Sequence, residues 1–435
     1  MNTSRHHIPE NELGLFTDLY ELTMSQAFLR QGMNATATFS LFTRTYPPNR
    51  GYFISAGMED VLYYLSNLNF SSEAIDYLHS TRIFSEEFLV YLKGVRFTGS
   101  VRAVPEGRLY FTDEPVLEVT APLIEAQLAE TFIINQVNLQ SMLATKAARC
   151  VWAAQGRGIA DFASRRTHGT DAALKMARAS YISGFNSTSN VLAARLYGIP
   201  PVGTMAHSYI SSFTSELEAF RSYAASFPDR TVLLVDTYDT IAGTWNAVQV
   251  AKELEAKGQN LMAVRLDSGS FDELSRKVRK ILNDSGLGYV KILVSGGLDE
   301  YEIETLVKNE APIDLFGVGT KAGVSADAPW SDMAYKQVSY DGRPVMKLSR
   351  DKVSLPSPKQ VYRTKDMNGM FAGDIIALHD EALPGGVPML EEVMKDGQRI
   401  VETFSLEEVR LRFQEDFAAL DDRFKVLKNP PRFPV

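Results

Sequence analysis

Six short polar clusters carry the side chains able to do chemistry in this chain. They are Phe162-Ala163-Ser164-Arg165-Arg166, Gly203-Thr204-Met205-Ala206-His207, Asp236-Thr237-Tyr238-Asp239, Arg265-Leu266-Asp267-Ser268-Gly269, Ser295-Gly296-Gly297-Leu298-Asp299 and Gly317-Val318-Gly319-Thr320. His207 brings an imidazole, a nucleophile or proton carrier near neutral pH. Arg165, Arg166 and Arg265 bring fixed positive charge and bidentate donors suited to carboxylate or phosphate. Asp236, Asp239 and Asp267 are hard oxygen donors, able to hold Mg2+ or to accept hydrogen bonds from sugar hydroxyls. Each also suits the cap of a following helix, and Asp239, beside a helical stretch starting at Thr240, fits either role. The turns at Ser295-Gly296-Gly297 and Gly317 to Thr320 lack bulky side chains, so backbone N–H groups at helix N-termini can approach a phosphate. One such turn is equally a tight strand-to-helix bend; two on consecutive strands favour a phosphate pocket. His207 alone is equally a helix-capping or core residue, and His168, in the loop after Arg166, reads as structural.

The elements that must position these clusters follow a rhythm. Apolar runs at 158–162, 201–205, 231–235, 261–266, 290–294 and 313–318 alternate with amphipathic stretches at 211–225, 240–257, 271–283 and 299–309. The middle strands start about 30 residues apart, the length of one βα unit, and no sequence repeat accompanies that period. Continuous apolar strands bounded by helices mean a parallel sheet with a covered face. Pattern alone allows a barrel or a doubly wound sheet; in a barrel all six clusters converge on the C-terminal face of the strands.

Residues 1–123 read differently, as an α+β domain with a largely antiparallel sheet. A helix opens near residue 18 with Thr17 or Asp18 as cap, and Tyr20 and Thr23 share one of its faces. Strand-like stretches follow at 36–42, 52–54, 99–104, 109–111 and 116–120, with short helices between 58 and 93. A connecting helix is expected over 124–155, stopped by Gly156, and the barrel domain over 156–338. From 339 to 435, a hairpin at Tyr340-Asp341-Gly342-Arg343 and a strand at 374–378 are expected to complete the N-terminal sheet.

Composition sets the outer limits. The chain has 435 residues, 45% of them hydrophobic, enough for a sizeable core. Its 53 acidic and 45 basic residues give a formal charge of -8, which disfavours nucleic acid as a partner while leaving small anions open. Cys150 is the sole cysteine, so neither an intrachain disulfide nor a zinc site of several thiolates can form. That suits a reducing cytosol. No apolar run has the length of a signal peptide or membrane span, so the expectation is a cytoplasmic protein with no membrane partner.

Taken together, Thr17-Asp18-Leu19-Tyr20-Glu21-Leu22-Thr23-Met24, Ser164-Arg165-Arg166, Gly184-Phe185-Asn186-Ser187-Thr188-Ser189-Asn190, Gly203-Thr204-Met205-Ala206-His207-Ser208, Val264-Arg265-Leu266-Asp267-Ser268-Gly269 and Gly317-Val318-Gly319-Thr320 resemble the nicotinate phosphoribosyltransferase family, a group of type II phosphoribosyltransferases. The resemblance runs in order from Phe16 to about Thr320. It implies an α/β fold, an irregular β/α barrel with a mixed-sheet α+β domain formed by N- and C-terminal parts. It implies a homodimer with shared active sites, in which nicotinate stacks between Phe162 of one subunit and Tyr20 of the other. Arg265 and Thr204 would bind nicotinate, with Arg165 close by. Nicotinamide-using relatives have an aspartate where Ser189 aligns, and a neutral Ser tolerates the carboxylate that Asp would repel.

The resemblance likewise implies that phosphoribosyl pyrophosphate sits on Gly296, Gly297 and the Gly317, Gly319 and Thr320 loop. Arg166 and Ser268 would lie beside it, and Asp236 and Asp267 near ribose and Mg2+. ATP, a co-substrate, would phosphorylate His207. Some relatives carry a cysteine-based zinc knuckle; with one cysteine, no zinc is expected. Two other readings stay open: a transferase for nicotinamide or quinolinate, and a catalytically silent nucleotide-binding barrel. The intact set of strand-end polar residues argues against the silent barrel.

Overall fold

The computed structural model describes residues 8–348 and 354–435. The chain divides into two units, Met1–Thr145 with Ala328–Val435, and Lys146–Asp327.

In the first unit, alternating apolar residues build a seven-stranded antiparallel sheet. Its order is Arg343–Pro344, Met333–Tyr340, Thr36–Thr43, Pro115–Pro122, Ser100–Ala103, Glu391–Lys395 and Gln398–Arg399. C-terminal strands thus complete the sheet at both edges. Phe39, Leu41, Val101, Leu117 and Val119 are buried in its core, and Phe132 stacks on Tyr64 with ring centroids 4.0 Å apart. The hairpin joining Met333–Tyr340 to Arg343–Pro344 turns through Asp341 and Gly342, both with positive φ (49° and 71°), as a tight two-residue turn requires.

Two expectations change here. The stretch 374–378 belongs to the strand Phe371–Leu378, which joins Lys359–Lys365 and Val387–Pro388 in a separate three-stranded sheet. Asp374 is drawn to that partner strand by Arg363, whose Nη2 lies 2.6 Å from its carboxylate, so 374–378 does not complete the N-terminal sheet. The stretch 124–155 is two helices, Leu123–Leu128 and Glu130–Ala154, and the chain leaves the first unit inside the longer one, between Thr145 and Lys146. Gln155 and Gly156, both at positive φ, end it.

The second unit is a parallel sheet in the order Ser187–Thr188, Gly158–Asp161, Leu315–Val318, Lys291–Ser295, Ala263–Leu266 and Val232–Leu234. Helices Thr170–Ile182, Glu216–Ser226, Thr240–Glu255, Phe271–Asp284 and Glu300–Lys308 connect the strands. Thr240–Glu255 shows why they cover the sheet: Gly243, Ala247, Val250, Ala251 and Leu254 recur at helical spacing and are buried. The stretch 201–205 makes a single parallel bridge, Pro201 to Thr188, and is not a strand. Pro200 and Pro201 have no N–H to give a ladder, and the pairing falls to the short strand Ser187–Thr188. Among the described residues no ladder joins 201–205 to Val232–Leu234, so this irregular β/α barrel has an open seam. No helix of the described residues is long and apolar enough to cross a membrane.

Candidate active site

The open seam and the adjoining strand ends enclose a cleft of 420 Å³ lined by Phe162, Arg165, Ser189, Gly203, Thr204, Met205, Ala206, His207, Leu234, Arg265 and Asp267. Its floor is organised by Arg265, on the strand Ala263–Leu266 and only 9% exposed. The guanidinium donates to Ser295 Oγ (2.8 Å), Thr204 Oγ1 (3.0 Å), the Met205 carbonyl (3.2 Å) and Asp267 Oδ1 (2.6 Å). Those four bonds leave one N–H of Nη2. The guanidinium carbon also lies 5.6 Å from the Phe162 ring centroid. A planar ring carrying a carboxylate is matched by such a pairing of aromatic face and buried cationic donor.

Asp267 accepts from Ser295 as well as from Arg265 and points its other oxygen at His207 Nε2, 3.8 Å away. Burial would raise its pKa, but the Ser295 hydrogen bond and the charges of Arg265 and His207 hold it below the usual carboxylate range. His207 starts the short helix His207–Ser211, is half exposed, and lies 3.1 Å through Nδ1 from Thr237 Oγ1.

Asp236 Oδ2 accepts from the Asp267 N–H (2.9 Å) and Ser268 Oγ (2.6 Å), while its Oδ1 is buried with no hydrogen-bond partner. That orphaned oxygen fits a divalent cation, since Mg2+ is commonly held by one or two carboxylates plus substrate phosphates. Among the described residues no group of three or more His, Cys, Asp or Glu could hold a metal. Asp239 takes the capping role, accepting from Ile241 N (3.0 Å) and Ala242 N (2.8 Å).

The glycines divide by physical cause. A Cβ on Gly296 (φ 98°) would meet the Asp267 carbonyl oxygen at 2.1 Å, and one on Gly317 would meet the Phe162 ring at 2.5 Å. One on Gly319 would meet the Phe162 carbonyl oxygen at 2.9 Å. Of these four loop glycines, only Gly297 leaves a Cβ in open space. Lys321 Nζ, 3.0 Å from both Asp299 and Glu302, ties the two glycine loops together.

Arg166, Ser268, Thr320 and His168 are exposed and, like Asp236 and the four glycines, are not among the residues lining the cleft. Tyr20 lies in the first unit, on the helix Leu19–Arg30, 45% exposed. Burial together with the Glu130 and Glu21 carboxylates raises its hydroxyl pKa. Asp18 heads that helix without capping it and instead accepts from Thr131 Oγ1 (2.9 Å).

One residue was not singled out by the sequence reasoning. Asp161, fully buried, accepts from Ala163 N (2.8 Å) and Thr188 Oγ1 (2.7 Å), joining the Phe162 turn to the Ser189 loop. Burial raises its pKa against the pull of those two bonds. Its signal was available: a carboxylate closing an otherwise apolar run.

A β/α barrel that gathers a buried arginine, an imidazole, carboxylates and two glycine loops at its strand ends is built as an enzyme for small anionic substrates. Residues 15–138 match the nicotinate phosphoribosyltransferase (NAPRTase) N-terminal domain, and residues 158–353 match the NAPRTase family. The chain belongs to the nicotinate phosphoribosyltransferase family. It is 51% identical over 386 residues to the nicotinate phosphoribosyltransferase pncB2 of Mycobacterium tuberculosis, covering 89% of this chain and 82% of that one. It is 40% identical over 381 residues to the nicotinate phosphoribosyltransferase of Bacillus subtilis, with 86% and 77% covered. The solved structure of human nicotinic acid phosphoribosyltransferase superposes with a TM-score of 0.86 at 27% identity, covering 96% of each chain.

Proposed function

We propose that this enzyme transfers the phosphoribosyl group of phosphoribosyl pyrophosphate to nicotinate, forming nicotinate mononucleotide and releasing pyrophosphate, a step of NAD salvage. Family membership supports the reaction, and the observation that carries the substrate reading is the buried Arg265 beside Phe162, with the neutral Ser189 lining the same cleft. The pyridine nitrogen attacks C1 of the sugar: the N–C1 bond forms and the C1–O bond to pyrophosphate breaks, with no protein nucleophile required. Arg265 binds the nicotinate carboxylate through its remaining N–H, and Thr204 holds that guanidinium. Tyr20 of a second subunit supplies the other stacking face in the proposed homodimer.

The Gly296-Gly297 and Gly317 to Thr320 loops, with Arg166 and Ser268, take the phosphoribosyl and pyrophosphate groups. Asp236 would hold Mg2+ with Asp267 beside it, and the bound ion would spread the charge of the leaving pyrophosphate. ATP is consumed in parallel: a neutral imidazole nitrogen of His207 takes the γ-phosphoryl group as the P–O bond to ADP breaks, and later hydrolysis returns the free imidazole.

The test is pyrophosphate release from phosphoribosyl pyrophosphate with nicotinate, nicotinamide or quinolinate, each with and without ATP. Nicotinate in preference, stimulated by ATP, is the expected result. A preference for nicotinamide would remove the role of Ser189, and no release with any base would leave a silent barrel. Acid-labile phosphate on the protein, absent in His207→Ala, tests the nucleophile.

A further inference from the structure

Backbone pairing does not fix His207. The segment 201–205 touches the sheet by one bridge on its inner side, and across the seam no ladder joins it to Val232–Leu234 among the described residues. The five-residue helix that follows gives little rigidity of its own. The contact across the gap is made by side chains: Thr237, just beyond Val232–Leu234, places Oγ1 3.1 Å from His207 Nδ1. The other ring nitrogen lies 3.8 Å from Oδ2 of Asp267, a carboxylate whose Oδ1 accepts from Ser295 and Arg265.

We propose that Thr237 is a positioning residue for His207: its hydroxyl donates to Nδ1 across the seam and, with Asp267, fixes the ring plane and the tautomer. The carboxylate places the ring proton on Nε2, so Nδ1 carries the lone pair and accepts from Thr237. When the γ-phosphoryl group arrives, the hydroxyl turns away from Nδ1. The N–P bond forms at Nδ1, the P–O bond to ADP breaks, and the Nε2 proton stays beside Asp267. The inference rests on the reading of His207 as phosphoryl acceptor, but its structural half stands apart from it.

Two measurements separate the halves. In rapid-quench labelling with radioactive ATP, Thr237→Val, which keeps the shape and removes the hydroxyl, should form phosphohistidine about tenfold more slowly, the loss expected for one hydrogen bond, and Thr237→Ser should return most of the rate. Labelling of Thr237→Val at the parent rate, or a folded Thr237→Ser that stays as slow as the valine variant, overturns the proposal. Nitrogen-15 NMR of His207 without ATP should show the proton on Nε2 in the parent and in Thr237→Ser, with Nδ1 shifted toward an unbonded value in Thr237→Val. A proton on Nδ1 in the parent overturns the proposal even where His207 takes phosphate. Absence of label in the parent with the expected NMR pattern defeats only the phosphoryl-acceptor reading.

Discussion

Arg265 lies over the ring of Phe162, 5.6 Å from its centroid, and reaches Thr204, Met205, Asp267 and Ser295 from that one position. The planar guanidinium makes all four bonds at once, which an ammonium cannot reproduce. Arg265→Lys should therefore raise the nicotinate KM strongly and lower kcat/KM by about 100-fold, the scale of a lost charge-assisted contact. Steady-state kinetics with nicotinate varied at saturating phosphoribosyl pyrophosphate measures it, and a kcat/KM near the parent value contradicts the assignment.

Gly317 leaves room for Phe162. A methyl group there would stand 2.5 Å from the ring, so Gly317→Ala should displace the ring, cost about 1–3 kcal/mol and raise the nicotinate KM. Gly297→Ala meets only its own positive φ of 69° and should cost about 1 kcal/mol with the nicotinate KM unchanged. Denaturant melts and kinetics of the two variants, side by side, separate ring displacement from loop strain.

Ser189 lines the cleft with a neutral hydroxyl, its backbone N–H held by the Asp161 carbonyl at 2.9 Å. Ser189→Asp should weaken nicotinate by charge repulsion and move the nicotinamide-to-nicotinate ratio of kcat/KM upward by about tenfold or more. Competition between the two bases reads this directly, and an unchanged ratio would place the discrimination elsewhere.

Glu21 predicts a pH dependence of stability in the first unit. Burial raises its pKa from 4.5 to about 7, with Glu130 and Asp18 adding to the rise and the Thr131 and Thr17 hydroxyls opposing it. A carboxyl whose folded pKa is raised binds its proton more tightly when folded. Its stabilising contribution is therefore fully present below pH 4.5 and is lost as pH climbs through about 7. The loss is about 2–3 kcal/mol, and Glu21→Gln should flatten that part of the urea-melt profile between about pH 5 and pH 8.

The barrel was legible where one local pattern served the whole fold. Within the apolar run 261–266 every residue of the strand Ala263–Leu266 is buried, and the polar residues closing it stand where the chain turns toward the cleft. Legibility failed where the deciding contact is distant in sequence. Ser187–Thr188 is a strand only because Asp161 and the Gly158–Asp161 strand receive it, and two polar residues carry no period. The stretch 201–205 has a strand's composition, but Pro201, with Pro200 just before it, withholds N–H groups a ladder needs. Phe371–Leu378 carries nothing in its own sequence that names its sheet, and its buried ion pair to Arg363 on the partner strand lies outside that stretch. The glycine loops suggested phosphate at four positions, and at three of them Phe162 and the Asp267 carbonyl add a packing reason for glycine that the sequence does not show.

The strand Thr36–Thr43 pairs on one side with Pro115–Pro122 and on the other with Met333–Tyr340, and the whole barrel tract lies between those partners in the chain. During synthesis the first partner is at hand early, while the second leaves the ribosome only after the barrel has been made. Until then one edge of the nascent sheet is an open row of N–H and C=O groups, the kind that recruits a neighbouring chain. The barrel, continuous in sequence, is free to fold during that interval. Slow translation through 146–327 would therefore lengthen the exposure of that edge, and synonymous slow codons in the barrel tract should increase aggregation of an enzyme whose amino-acid sequence is unchanged.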